Sequence, residues 1–350
     1  MLKKLPIDTF LLAMAATVAL AALFPARGAF ADVMSVAAKV VIALLFWLYG
    51  ARLSPQQAWQ GVKRWQLHLL VLATTFVVFP LLGVACRGLV PWALNLDLYN
   101  GLLFLCLVPS TVQSSIAFTS IARGNVSAAL VSASVSNIVG IALTPLLVVL
   151  LMNTSGGARM DATAVRDVLV QLLLPFVAGQ LMRPWIADWV LRHAALTKAV
   201  DRGSILVVVY TAFSMGMVEH IWASVDPWKL AVVTVVDALL LALVLALTWF
   251  VGRLVGLDRG DSIVLLFCGS KKSLASGLPM ALVFFPAATV GVIMLPLMIF
   301  HQIQLIVCSV IASGSRATPT TTNPPPRPLS PGSLKGRPAS TGKTPASRSP

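Results

Sequence analysis

Charge is scarce in this sequence. Only 11% of its 350 residues are charged, and acids are rarer than bases, with 12 Asp and Glu against 26 Lys and Arg. A soluble domain carries about 25% charged residues. With 58% hydrophobic residues and a mean hydropathy of +0.88, there is too little charge to cover a water-facing surface. Soluble, disordered and fibrous chains are excluded for that reason. Cysteine is scarce as well. Cys86, Cys106, Cys268 and Cys308 all lie in or beside apolar runs, with no CxxC or Cys/His spacing. Neither a structural metal nor a disulfide framework is expected. Enzyme signatures are missing too: there is no Gly-x-Ser-x-Gly elbow, no His-Glu-x-x-His and no Gly-x-Gly-Asp-like carboxylate pair. No enzymatic activity and no organic cofactor are expected.

What the chain does have is long apolar runs, and a spanning helix needs ~20 such residues. Ten segments come close or exceed that, at about 7–24, 33–51, 66–89, 98–122, 125–152, 165–183, 200–221, 228–255, 261–285 and 288–311. The reading is therefore an all-α polytopic membrane protein. Trp47, Trp65, Trp92, Trp185, Trp222 and Trp228 fall near segment ends, as in an interfacial aromatic belt. The stretch from Lys3-Lys4 to Ala29-Phe30-Ala31 also has the look of a cleavable signal peptide. Retaining it as the first span gives the better topology.

The net charge of +14 would point to nucleic acid in a soluble protein. Here basic residues mark cytoplasmic loops, and the bilayer, not nucleic acid, is the expected partner. With the N-terminus inside, the inner loops hold 12 Lys and Arg and the outer loops 5. Both termini are then cytoplasmic, in a plasma (inner) membrane. The tail, 312–350, is basic and rich in Pro, Ser and Thr, and lacks aromatic and acidic residues. It cannot bury enough apolar surface to order itself.

Internal similarity appears at an offset of 162. It pairs Leu103 with Leu265, Cys106 with Cys268, Thr111 with Ser273 and Ser114 with Ser276. Both windows are the fourth span of a five-span half, and in both a polar stretch interrupts the apolar run. The first stretch runs from Val108-Pro109-Ser110 to Ser115, the second from Cys268-Gly269-Ser270-Lys271-Lys272 to Gly277. Proline removes a helical hydrogen bond, and irregular backbone at membrane depth survives only inside protein or beside a water-filled cavity. Paired interruptions at matching places point to a transporter binding site, and five spans per half would make the repeats inverted.

These residues resemble the bile acid:sodium symporter family over about residues 5–311. The likeness rests on Pro109 to Ser115, Gly124-Asn125-Val126, Ser134-Val135-Ser136, Thr144-Pro145 and the stretch from Phe267 to Ala275. The Cys268-Gly269-Ser270-Lys271-Lys272 break places the chain in a distinct, largely bacterial branch that also holds one outlying vertebrate member. The resemblance implies ten helices in two inverted five-helix repeats, with broken helices 4 and 9 crossing near mid-membrane. It implies a membrane domain over 1–311, made of a panel (7–51 and 165–221) and a core (66–152 and 228–311). It further implies alternating-access transport of a small organic anion held between them.

Several residues are candidates for that work. Sodium favours oxygen ligands, and Ser114 and Ser115 match family positions that carry them. Pro109, Thr111 and Gln113 complete the first break, and Ser132, Ser134, Ser136 and Asn137 stand on the fifth span. At the second break the candidates are Ser270, Lys271, Lys272, Ser273 and Ser276. The chain also departs from the family. Two hydroxyl ligands of sodium-coupled members are Ala129 and Ala133 here, and no acid occurs from Ser262 to Ser276. The usual two-sodium arrangement does not fit, so sodium, a proton or no coupling ion remains open. A lysine at mid-membrane costs ~3 kcal/mol or more unless paired or wet. Lys271 and Lys272 therefore mark a wet cavity, an anionic substrate, or an amine that stands in for a cation or carries a proton. Asp237, inside the eighth span, is the charge-pair or coupling candidate, with one of these lysines as its expected partner. His301 and Gln302 on the tenth span are weaker candidates. The competing reading is a non-transporting regulatory or scaffold protein of the same fold.

Overall fold

The computed structural model of the protein describes residues 9–52, 64–152, 162–220 and 226–315. Trp222 and the tail beyond residue 315 lie outside the described residues. Among those described, every regular element is helical. In the first half, α1 (Thr9–Leu23) and α2 (Ala29–Arg52) come first. Then α3 (Trp65–Ala73) runs through a π-helical turn, Thr74–Val78, into α4 (Phe79–Ala85) and a 3-10 turn, Cys86–Leu89. After these come α5 (Leu96–Leu107), α6 (Val112–Ile121) and α7 (Val126–Met152). The second half holds α8 (Ala162–Arg192), α9 (Ala194–Val218), α10 (Pro227–Leu254), α11 (Arg259–Gly269), α12 (Leu274–Phe284) and α13 (Ala287–Ser315).

Helices thus form on each of the ten apolar segments. Among the described residues, five runs are long and apolar enough to cross a membrane alone: α2, the Trp65–Leu89 run, α7, α10 and α13. A sixth is the pair α5 and α6, bent by 61° at its break. The exposed faces of these helices are apolar at helical spacing, as with Val33, Val36 and Val40 on α2 and Val235, Leu239 and Leu243 on α10. Such stripes suit lipid rather than water. Trp65, Trp92 and Trp228 are exposed near helix ends, where an interfacial belt would put them, whereas Trp185, also exposed, lies within α8.

The ends of the elements follow from local chemistry. Asn95, Asp226, Asp258 and Ser273 each cap a helix by accepting a backbone N–H with the side chain. The Gly124-Asn125-Val126 motif opens α7, where the Asn125 Oδ1 accepts the Ala128 N–H at 3.1 Å. Its Nδ2 donates to Asp261 at 2.9 Å, and Arg64 pairs with the same carboxylate. One departure from expectation is the stretch between about 184 and 199. It reads as a loop, yet α8 continues through Pro184 to Arg192 and α9 begins at Ala194. The reason is packing: beyond Pro184, Ile186 and Val190 lie at helical spacing against Leu48 and Ala51 at the end of α2.

The offset of 162 also relates helix bounds. Applied to α5, α6 and α7 it gives 258–269, 274–283 and 288–314, within a residue of the bounds of α11, α12 and α13. Thr111 and Ser273, paired by that offset, are the N-cap residues of α6 and α12. In packing, α2 lies on α8 and α9, and α1 on α9, while α13 joins α5, α10 and α12. The helix α5 is buried on every face from Leu98 to Leu107.

Candidate functional site

The two breaks are bonded directly to each other. The Ser273 N–H donates to the Pro109 carbonyl at 2.9 Å, and the Ser110 hydroxyl to the Cys268 carbonyl at 2.6 Å. The Thr111 hydroxyl donates to the Lys272 carbonyl at 2.7 Å, and the Ser115 hydroxyl to the Phe267 carbonyl at 3.1 Å. Every one of these acceptors is a carbonyl at or beside the end of a half-helix, and buried carbonyls must be paired. The fifth span completes the crossing. Asn137 donates to the Ser110 carbonyl and accepts from the Ser276 hydroxyl, each at 2.8 Å, and the Ser136 hydroxyl accepts the Ser110 N–H at 3.1 Å. A Cβ on Gly140 would come within 2.7 Å of the Pro109 ring, so the break can rest on α7 only across a glycine.

A cavity of about 500 Å³ opens beside this crossing. One wall comes from α2, α8 and α9, the other from α6, α7, α12 and α13. Of the sequence-predicted residues it brings together Thr111, Gln113, Ser114, Ser134, Asn137, Ser273, Ser276 and His301. The Ser114 hydroxyl is buried there with no hydrogen-bond partner. His301 Nδ1 shares a hydrogen bond with Gln304 at 2.8 Å.

Other predicted residues stand elsewhere. Pro109, Ser115 and Ser136 support the crossing but do not line the cavity, and nor does Gln302. Ser132 bonds the His68 Nδ1 at 2.7 Å, and Ser270 bonds the Leu266 carbonyl of its own helix. Ala129 and Ala133 are buried, and their carbonyls accept from Cys268 and Asn137.

The dibasic pair stands away from the cavity, so of its expected settings the wet cavity is not this one. Lys271 and Lys272 are both 0% exposed and neither lines the cavity. The Lys272 ammonium donates to the carbonyls of Thr75, Cys106 and Val108 at 2.9, 2.8 and 2.9 Å, and stands 4.2 Å from the Phe79 ring. The Lys271 ammonium has no hydrogen-bond partner and lies 3.7 Å from the centre of the Phe118 ring. Asp237 is buried as expected, but it pairs with neither lysine, and both its carboxylate oxygens are without partners. The cause is plain for Lys272, whose three protons are taken by carbonyls.

The cations that do face the cavity are Arg52, Lys198 and Arg202, with Asp201 the one carboxylate among its lining residues. Arg52 Nη1 pairs with Asp201 at 2.6 Å, joining the last turn of α2 to α9. Its Nη2 is buried without a hydrogen-bond partner. Sequence reasoning missed this group because it counted these residues as loop charges that set topology. The signal available was Asp201, an acid beside Arg202 in a basic stretch.

Comparison with known proteins agrees with this architecture. The profile of the SBF-like CPA transporter family matches residues 8–317. The chain is 51% identical over 306 residues to the uncharacterized protein PA2026 of Pseudomonas aeruginosa, covering 87% of this chain and 92% of that one. It is 49% identical, with the same coverage, to the "Putative symporter YfeH" of Escherichia coli. It is 25% identical over 276 residues to the sodium/bile acid cotransporter 7 of Xenopus tropicalis, covering 78% and 80% of the two chains. With a profile match over nearly the whole helical body, this multi-pass membrane protein belongs to the SBF-like CPA transporter family, within the bile acid:sodium symporter group.

Proposed function

We propose that the protein is a secondary active transporter that carries a small organic anion by alternating access. The observation that carries this reading is the composition of the cavity. Three cations face it against one carboxylate, and the Arg52 Nη2 and Ser114 hydroxyl are buried donors awaiting an acceptor. A site of about 500 Å³ falls within the ~300–1,000 Å³ range of small-molecule pockets. An anion with two oxygen groups would offer an acceptor to each of these donors. The division into a panel (7–51 and 165–221) and a core (66–152 and 228–311) is supported by the two walls, drawn from α2, α8 and α9 on one side and from α6, α7, α12 and α13 on the other. Rocking the panel against the core would expose the cavity to each side in turn. The offset of 162 supports ten spans in two inverted repeats. The bias of basic residues supports a plasma-membrane orientation with both termini cytoplasmic.

Uptake of labelled organic anions into proteoliposomes tests the reading, with sodium and proton gradients imposed separately to find the coupling ion. Replacing both Lys198 and Arg202 by Gln is expected to raise the half-saturation concentration about tenfold or more, which corresponds to ~1.4 kcal/mol. The unfolding temperature should stay near that of the wild type. Unchanged half-saturation would remove the basic wall from the anion site. No saturable uptake, and no thermal stabilisation by any anion tried, would favour a non-transporting protein of this fold.

A further inference from the structure

We propose that the Lys272 ammonium is a tethered monovalent cation, and that the carbonyls of Thr75, Cys106 and Val108 with the Phe79 ring form a cation site that this chain fills with its own side chain. Each carbonyl is free for a separate local reason. At Thr75 the helix widens into a π turn, so the Phe79 N–H bonds the Thr74 carbonyl instead. The next residue, Pro80, has no N–H to offer. Cys106 lies in the last turn of α5, and the Ser110 N–H that would continue the helix goes to the Ser136 hydroxyl. Val108 is the C-cap residue with extended backbone and lies before Pro109. Three unused carbonyls converge here, two of them at the negative end of a buried helix.

No carboxylate among the described residues is paired with this charge, and the unpartnered Asp237 does not reach it. Among the described residues Lys272 has no salt bridge, and its three N···O distances of 2.8 to 2.9 Å match charge-assisted bonds. The ring face adds attraction for a cation of any kind. Both ends of the side chain are held. The Lys272 N–H donates to Gln304 Oε1 at 2.9 Å, and its carbonyl accepts from Gln304 Nε2 at 2.9 Å and from Thr111. A cation here ties the second break to the first break and to the third span. In this chain that tie is permanent, so no free ion is needed to assemble the crossing. The consequence for coupling rests on the transport reading, but the cation site itself does not.

Thermal unfolding of the purified full chain tests the idea without any substrate, so failure here and failure of the transport reading are read separately. The Lys272→Ala chain should unfold several degrees below wild type in choline chloride. Ammonium or methylammonium at about 100 mM should recover at least half of that loss, saturably, as expected for binding to the folded state. Lys272→Met, whose side chain fills the space without charge, should not recover. Wild type should unfold at the same temperature in sodium, potassium and choline chlorides of equal ionic strength. The proposal is overturned if no small cation restores Lys272→Ala, if Lys272→Met recovers equally, or if sodium alone stabilises wild type. The wild-type arm decides the matter should Lys272→Ala not fold.

Discussion

Lys271 and Lys272 are neighbours in sequence and equally buried, yet their ammonium groups have opposite surroundings. Lys272 makes three hydrogen bonds. Lys271 makes none and lies over the Phe118 ring, with the Phe267 ring further off at 5.5 Å. A buried charge without a partner destabilises by several kcal/mol, and an apolar side chain of similar volume relieves that. Lys271→Met is therefore expected to raise the unfolding temperature by about 2 °C or more. A lower temperature would show that the amine is held by more than the ring. Single residues were partly legible in the sequence. Asp237, Lys271 and Lys272 stand out as charges within apolar runs, and all three are buried. Their partners were not legible, because the acceptors around Lys272 are backbone carbonyls freed by a π turn and a helix end. No side-chain pattern announces such groups, and the expected pairing with Asp237 followed from charge alone.

Among the elements, the tightest crossing is that of α2 and α8. A Cβ on Gly50 would lie 2.0 Å from the Phe176 carbonyl, and one on Gly179 would lie 2.0 Å from the Trp47 carbonyl. Only glycine permits that approach, as at small-residue crossings in membranes generally. Gly179→Ala is expected to force the helices apart at a cost of about 3 kcal/mol, seen as a lower unfolding temperature and reduced yield in membranes. Wild-type behaviour would mean that the two helices pack less closely than described. The elements themselves were the most legible level. Long apolar runs, prolines and Gly-Ser stretches located all ten segments and both breaks, and the offset of 162 carried the bounds of α5, α6 and α7 onto those of α11, α12 and α13. The helical stretch after Pro184 was not legible. It is held by contacts of Ile186 and Val190 with residues over a hundred positions earlier, which local pattern cannot show.

In the whole molecule, the site lies between two walls drawn from distant parts of the chain. Hydroxyl and amide groups at the helix breaks supply one wall, and the Arg52, Lys198, Asp201 and Arg202 cluster supplies the other. The first was legible because it interrupts apolar runs. The second was hidden, because charges at helix ends look alike whether they face water or a cavity. The central claim is that this cavity binds an anion and opens to each side in turn, and labelling of a single thiol tests it most directly. Ser134 lines the cavity, so Ser134→Cys can be made in a Cys86→Ser background, the other native cysteines being buried. The thiol is then exposed to a membrane-impermeant maleimide in right-side-out and inverted vesicles. The account predicts labelling from both sides, slowed on each by a saturating transported anion. Labelling from one side only, at a rate no anion alters, would contradict it.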